Sequence, residues 1–272
     1  GPAQFWIEPT TVDGLVRLVK YCTDSGTALR VVGRGSNLLV RDGGIPGVVA
    51  NPVKGEFGEI HVEGSTIRAG AGVKFKALAA AAQSAGLGDF EWMEGIPGNV
   101  GGSLRMNAGA MGWETFDQVV SVRMIDAEGA VFEKPVGEIR HHYRNVPELA
   151  HHVAVSAVFK GTSASDEMIA SRMAESKEKR RTSQPVAASA GCIFKNPGSI
   201  GAGQVIDEMG LKNTGVGPAK VSEAHGNFII NEGGASARDV LDLIANIKLV
   251  AMRERGIELE TEVQIIGQDE PI

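Results

Sequence analysis

Residues 95–102 read GIPGNVGG, and the reading of the fold turns on what four glycines in eight positions are for. Gly95, Gly98, Gly101 and Gly102 leave main-chain N–H groups bare, and successive bare N–H groups can cradle an anion. Pro97 stiffens the stretch beside Ile96, and Ser103 adds a side-chain donor directly after it. An earlier stretch, GRGSN at residues 33–37, has the same character: Gly33 and Gly35 flank Arg34, while Ser36 and Asn37 supply polar tips. It follows a strand-like run, ALRVVG, as a dinucleotide fingerprint does. Position 38, however, is Leu where that fingerprint has its third glycine, and LLV continues as strand rather than helix. Alone, GRGSN is equally a tight β-turn. Two glycine-rich, polar-tipped loops exceed what turning corners requires.

Around these loops the apolar periodicity alternates between strand and helix. Thr10 with Asp13 reads as the cap of a helix carrying Val12, Leu15, Val16 and Val19, which stops near Gly26. LLVRDGGIPGVVAN reads as strand, glycine turn and strand, IHVEGSTIRAGAG as a hairpin, and VKFKALAAAAQSAGLG as a helix ended by Gly86 or Gly88. QVVSVRMIDAEGAVFEK is a second hairpin, with HHVAVSAVFKG pairing onto it. Residues 165–184 read as a charged connector helix, after which the composition changes. The remainder holds a helix over residues 202–209, the strand NFIIN, and a helix with Ser236 as cap and Asp239 in the capping-box position. Val240, Leu243, Ile244, Ile247 and Val250 lie on one face of that helix, Gly256 ends it, and IELETEVQII is the closing strand. The expected class is α+β, with two small α+β lobes in residues 1–164, the connector, and a separate α/β domain in residues 185–272 whose last strand returns toward the first.

A chain of 272 residues holds two or three small domains, and 43% hydrophobic with 22% charged residues is ordinary for a soluble globular protein. The net charge of −6, with KEKRR at residues 177–181 as its one basic run, argues against nucleic acid or an anionic membrane as partner. No apolar run reaches the roughly 18 residues of a membrane helix, and no secretory leader is read. The two cysteines, Cys22 and Cys192, lie far apart and make no disulfide framework, so the cytoplasm is the expected compartment. The pairs His141–His142 and His151–His152 have no Cys or carboxylate at ligand spacing, and no metal is expected.

Taken together and in order, VGRGSNLLVRDGG, GIPGNVGG with RMNAGAMG, Tyr143–Arg144, SAGCIFKNP, GLKNTGVG, VSEAHGNFIIN and LETEV resemble the UDP-N-acetylenolpyruvoylglucosamine reductases. These are FAD enzymes that complete UDP-N-acetylmuramate for bacterial peptidoglycan. The resemblance spans essentially the whole chain and is to the shorter variety, which lacks a Tyr-bearing insertion. It implies an FAD-binding fold of the vanillyl-alcohol-oxidase type followed by a substrate-binding domain. It further implies non-covalent FAD at Gly33, Arg34, Gly35, Ser36, Asn37, Gly95, Ile96, Pro97, Gly98, Gly101, Gly102, Ser103 and Asn107. NADPH is the implied co-substrate, a UDP-sugar the substrate, and a monomer the expected state.

Reducing an enol ether that carries a carboxylate needs a hydride source, stabilisation of the enolate and an acid for the α-carbon. By pattern alone Arg144 is a loop arginine before Pro147; the resemblance carries the family's catalytic Arg onto it, and a guanidinium suits a carboxylate. By alternation Glu258, Glu260 and Glu262 form a solvated acidic face; the resemblance places the family's catalytic Glu on Glu262. Cys192 is either a small packing residue or the acid, since the family commonly has Ser there and a thiol with an ordinary pKa of about 8.5 is the stronger acid. Tyr143, Lys195, Asn196, Lys212 and His225 are implied as substrate-pocket residues, with Lys212 and KEKRR available to the phosphates. His225 is equally readable as a structural histidine. Another FAD oxidase or dehydrogenase of this fold would have no need of KNP or LETEV, and a non-catalytic nucleotide-sugar binding protein would have no need of intact glycine loops.

Overall fold

The computed structural model describes residues 1–272, which fold as two compact units. One comprises residues 5–34 and 47–179; the other comprises residues 1–4, 35–46 and 180–272.

The larger unit is built on a five-stranded antiparallel sheet in the order Val131–Pro135, Val119–Ile125, Val153–Lys160, Thr66–Gly70, Ile60–Glu63. The expected hairpin around Glu128 and Gly129 forms its edge, because Gly129 takes the left-handed conformation (φ 82°) that the tight turn demands. Helices Phe75–Ser84 and Val100–Met106 belong to this unit. Phe75, Leu78, Phe90, Met93, Leu104, Met124 and Phe159 fill its main core. A smaller core, with Leu15, Val19, Ala50, Phe57, Ile125 and Val155, packs helix Val12–Ser25 on the sheet, and strand Leu29–Val31 pairs in parallel with Ile45–Ala50 nearby. The cap of that first helix is Thr11, whose Oγ1 accepts from the Gly14 N–H at 3.1 Å, and not Thr10 as the sequence suggests. Thr11 has the extended backbone (φ −128°, ψ 152°) of a cap residue.

The smaller unit has a four-stranded antiparallel sheet, Ser189–Cys192, Phe228–Asn231, Ala219–Val221, Gly215–Val216. Helices Ala202–Glu208 and Ala237–Arg255 share its core of Ile193, Phe194, Ile206, Ile229, Leu243, Ile244, Ile247 and Val263. The long helix begins with the expected reciprocal Ser236–Asp239 capping box and ends at Gly256 in the left-handed conformation. A second, non-local cap comes from Asp42, whose carboxylate accepts from the Ala237 and Arg238 N–H groups at 2.7 and 3.0 Å. The hydrogen bond from Ala237 leads in holding its pKa below the ordinary carboxylate value. Asp42→Ala removes two acceptors from a helix N-terminus, and a loss of about 1 kcal/mol is expected in denaturant titrations; an unchanged midpoint would show that solvent replaces them at no cost.

IELETEVQII is strand only at Gln264–Ile266, which pairs in parallel with Leu38–Val40. Ahead of it the regular ladder breaks because the Glu262 and Val263 N–H groups both turn to the Ile193 carbonyl, at 2.8 and 3.3 Å. The alternation of burial survives: Leu259 and Val263 are buried, while Glu258 and Glu260 are exposed.

Candidate active site

In the larger unit, helix Val100–Met106 follows the second glycine loop. The Val100 N–H donates to the Val73 carbonyl and the Gly101 N–H to that of Ala71, both at 2.8 Å. A Cβ on Gly101 would stand 3.0 Å from the Ala71 Cβ and 3.3 Å from its oxygen. Gly101 is therefore glycine so that the helix can approach the turn that follows strand Thr66–Gly70, and its N–H is already taken. This corrects the expectation that it joins an anion nest. A Cβ on Gly102 would meet nothing within 4 Å. Within the same loop the Gly98 carbonyl accepts from the Phe75 N–H at 3.1 Å, Gly95 closes a 3-10 turn from Glu91, Ile96 packs on the core and Pro97 is exposed. Ser103 is buried in the helix.

Asn99, which caps this helix by position, was not singled out by the sequence. Its Nδ2 donates to the Gly72 carbonyl, while Oδ1 is buried with no hydrogen-bond partner and would lie 3.1 Å from a Cβ on Gly33. Asn51 Nδ2 donates to the carbonyls of Val32 and Gly33, each at 2.8 Å, and so fixes that end of the first glycine loop. An orphaned buried acceptor costs free energy unless a donor meets it. That acceptor, glycines at 33 and 102 that keep side-chain volume away, and a main chain held from behind fit a flat cofactor rich in hydroxyl and N–H donors. An unpaired acceptor so placed suits the hydroxyl and N–H donors that FAD carries. Arg34 and Gly35 are exposed, and Gly35 is left-handed (φ 71°).

Asn107 is fully buried at a left-handed position, and its amide is engaged internally: Nδ2 donates to Glu114 Oε2 at 2.7 Å and to the His142 carbonyl at 3.2 Å, and Oδ1 accepts from the Phe116 N–H at 3.1 Å. Rather than presenting a side chain to the cofactor, Asn107 braces the loop that bears Arg144. Arg144, itself left-handed (φ 55°) and 14% exposed in its side chain, donates from Nη1 to the Asn107 carbonyl at 3.1 Å and from Nη2 to the Gly109 carbonyl at 3.3 Å. Glu114 stands 3.8 Å away, and the guanidinium lies 4.7 Å from the centre of the half-exposed Tyr143 ring. Non-glycine residues in this backbone region are costly and concentrate at functional sites.

In the smaller unit, strand Ser189–Cys192 carries an irregularity between Ser189 and Cys192, where Gly191 adopts φ 78°. Such a bulge re-aims the next side chain, here Cys192, which is half-buried and a thiol. The following main chain is stitched to the Glu262 segment: Phe194 bridges Thr261, the Lys195 N–H donates to the Glu260 carbonyl at 2.9 Å, and the Glu262 N–H to that of Ile193 at 2.8 Å. Asn37, at the end of GRGSN beside Ser36, donates from Nδ2 to the Glu262 carbonyl at 3.1 Å and accepts from the Gln264 N–H at 3.0 Å. Cys192 and Glu262 thus belong to neighbouring, mutually bonded segments. Arg180 is half-buried near Cys192: burial pushes its guanidinium pKa down, and the Cys192 sulfur acts in the opposite direction.

In the same unit, Lys195 is drawn to Glu260 at 2.5 Å and Lys212 to Asp207 at 2.7 Å. Asn196 Oδ1 accepts from the Ala202 N–H at 3.0 Å, capping the short helix. Asn227, which the sequence reading passed over, is the keystone. Its amide holds both the N–H and the carbonyl of Phe194 at 2.8 Å, and its own N–H donates to His225 Nδ1 at 3.1 Å. His225 is consequently neutral at Nδ1, and burial, followed by the charge of Lys212, holds its pKa below the ordinary 6.5. A histidine depressed in the folded state contributes stability that is present above pH ~6.5 and lost as pH falls through the folded value. Melting temperature should therefore drop between pH 7.5 and 5.5 in wild type, and the part due to this residue should vanish in His225→Gln. An identical pH dependence in the variant would remove His225 from that role.

A family model described as "UDP-N-acetylenolpyruvoylglucosamine reductase, C-terminal domain" matches residues 184–266, and one described as "FAD binding domain" matches residues 3–133. Among curated relatives, the UDP-N-acetylenolpyruvoylglucosamine reductase of Bradyrhizobium sp. (strain ORS 278) is 39% identical over 98% of this chain and 87% of its own length. That of Syntrophomonas wolfei is 40% identical over 99% and 90%. The crystal structure of the Thermus caldophilus UDP-N-acetylenolpyruvylglucosamine reductase superposes with a TM-score of 0.82 at 37% identity, covering 96% of this chain and 90% of that one.

Proposed function

Because the chain belongs to the UDP-N-acetylenolpyruvoylglucosamine reductase family, we propose that Arg144, Glu262 and Cys192 carry the reduction of an enolpyruvyl group on a UDP-sugar. The chain is an FAD-dependent oxidoreductase of peptidoglycan biosynthesis, with NADPH as reductant. When bound, FAD supplies the hydride for the β-carbon. The residues that would hold it are the glycine-loop positions 33–37, 95–98, 102 and 103, with Asn99 Oδ1 as an added acceptor. Arg144, oriented by the carbonyls of Asn107 and Gly109, meets the substrate carboxylate on which charge develops. Glu262 shares that stabilisation, and Cys192 Sγ gives its proton to the α-carbon. Arg180 then faces the resulting thiolate, the charge state a neighbouring cation favours. Tyr143, Lys195, Asn196, Lys212 and His225 hold the UDP-sugar.

The observation that supports this reading most is the stitching of residues 193–195 to residues 260–263, which brings a thiol and a carboxylate onto adjacent segments. Steady-state NADPH oxidation tests it. Consumption should require the enolpyruvyl sugar and yield the lactyl ether by mass spectrometry; equal consumption without the sugar would identify an oxidase instead. The cytoplasm is the proposed compartment, supported by two cysteines kept as thiols. No helix is long and apolar enough to cross a membrane. A monomer is proposed.

Gly102→Ala separates fold from cofactor. The new methyl meets nothing in the protein and removes a helical glycine, so the apoprotein should gain about 0.5–1 kcal/mol, whereas FAD should bind more weakly. Full FAD affinity in this variant would take Gly102 out of the cofactor surface.

A further inference from the structure

The larger unit contains a cavity of about 290 Å³ that shares no residue with those assigned above to cofactor or substrate. Its walls carry Asp89, Glu91 and Glu175 against a single cation, Arg172, together with the indoles of Trp92 and Trp113; Met111 completes the rim. Glu91 is 4% exposed, and its Oε1 is buried with no hydrogen-bond partner. The nearest cation, Arg172 Nη1, stands 3.8 Å away, beyond hydrogen-bond reach, on a side chain 52% exposed. A buried carboxylate oxygen in this state demands a donor, preferably a charged one. Trp92 is locked edge-on to Phe75 and by its Nε1–H to Gln118 at 3.1 Å, so its ring is a fixed wall. Trp113 is 39% exposed at the mouth. Asp89 (φ 77°) and Met111 (φ 57°) are left-handed non-glycine residues, so the rim is held in conformations that cost energy.

Three carboxylates against one guanidinium repel phosphates and carboxylates, while indole faces attract cations. We propose that this cavity is a binding site for a small organic ammonium, whose charged end meets Glu91 and whose alkyl body lies against the two indoles. Arg172 competes with the ligand for Glu91, so removing it frees the site.

The probe is cadaverine, titrated into the FAD-loaded protein and followed by tryptophan fluorescence and melting temperature, with 1-pentanol and potassium chloride as controls. Saturable quenching and a raised melting temperature are expected with cadaverine alone. Glu91→Gln keeps the shape and loses the charge, and should weaken binding about tenfold or more. Arg172→Met should tighten it. Cadaverine that fails to bind wild type and Arg172→Met alike overturns the proposal. So does an effect reproduced by potassium or pentanol, which would mean screening or non-specific apolar binding. If Arg172 is instead the permanent partner of Glu91, Arg172→Met lowers the melting temperature and leaves cadaverine binding absent. That result too overturns the site.

Discussion

Cys192→Ala is expected to slow oxidation of the reduced flavin by the enolpyruvyl sugar by roughly 10²–10⁴-fold, the usual cost of losing a general acid, or about 3–5 kcal/mol on the barrier. Reduction of the flavin by NADPH involves no α-carbon and should be nearly unchanged. Cys192→Ser should remain active, because a hydroxyl at the same place still carries a proton and is the residue the family commonly has there. A purely packing role predicts the reverse ranking: Ala would be mild and Ser the worse change, since it would strand a hydroxyl. The geometry favours the first ranking, because Cys192 is half-buried and follows a bulge, whereas Cys22, the other thiol, is 2% exposed in the core and raised in pKa by burial. Measuring both half-reactions in both variants decides the matter, and an active Cys192→Ala enzyme would sink the proton-donor role.

Arg144→Lys should leave FAD bound and slow the same half-reaction by roughly 10²–10³-fold, the range seen when one preorganised charge-stabilising donor is lost. The guanidinium is oriented by two carbonyls at once, those of Asn107 and Gly109, with Nη1 and Nη2 each assigned. A lysine ammonium is a point charge on a flexible stem and cannot hold that orientation while meeting a carboxylate. Lysine and arginine carry the same Cβ, so the exchange places no new steric demand on the left-handed backbone at position 144. Reoxidation at the wild-type rate would remove Arg144 from the chemistry.

What the sequence disclosed is what short-range physics determines. The Ser236–Asp239 box, the Gly256 stop and the hairpin at Gly129 each depend on residues within four positions, and the structure has all three. Long-range pairing left no such mark beyond the expected return of the last strand, whose partner stays unnamed. Leu38–Val40 finds Gln264–Ile266 across more than two hundred residues, and Asp42 caps a helix beginning at Ala237; neither partner's local pattern names the other. Side-chain amides that substitute for main-chain partners were equally hidden. Asn51, Asn107 and Asn227 each stitch two distant stretches of backbone, and an isolated Asn in a sequence reads first as a turn residue. Gly101 shows the converse error, since a glycine read as a ligand contact serves the approach of a helix to the turn at Ala71.

The most direct measurement is anaerobic. The FAD-loaded protein is reduced with one equivalent of NADPH and then mixed with UDP-N-acetylenolpyruvoylglucosamine in a stopped-flow spectrometer. Oxidised-flavin absorbance should return in a single turnover without oxygen, at a rate at least equal to steady-state turnover. Reduced flavin that stays bleached until oxygen is admitted would contradict the assignment.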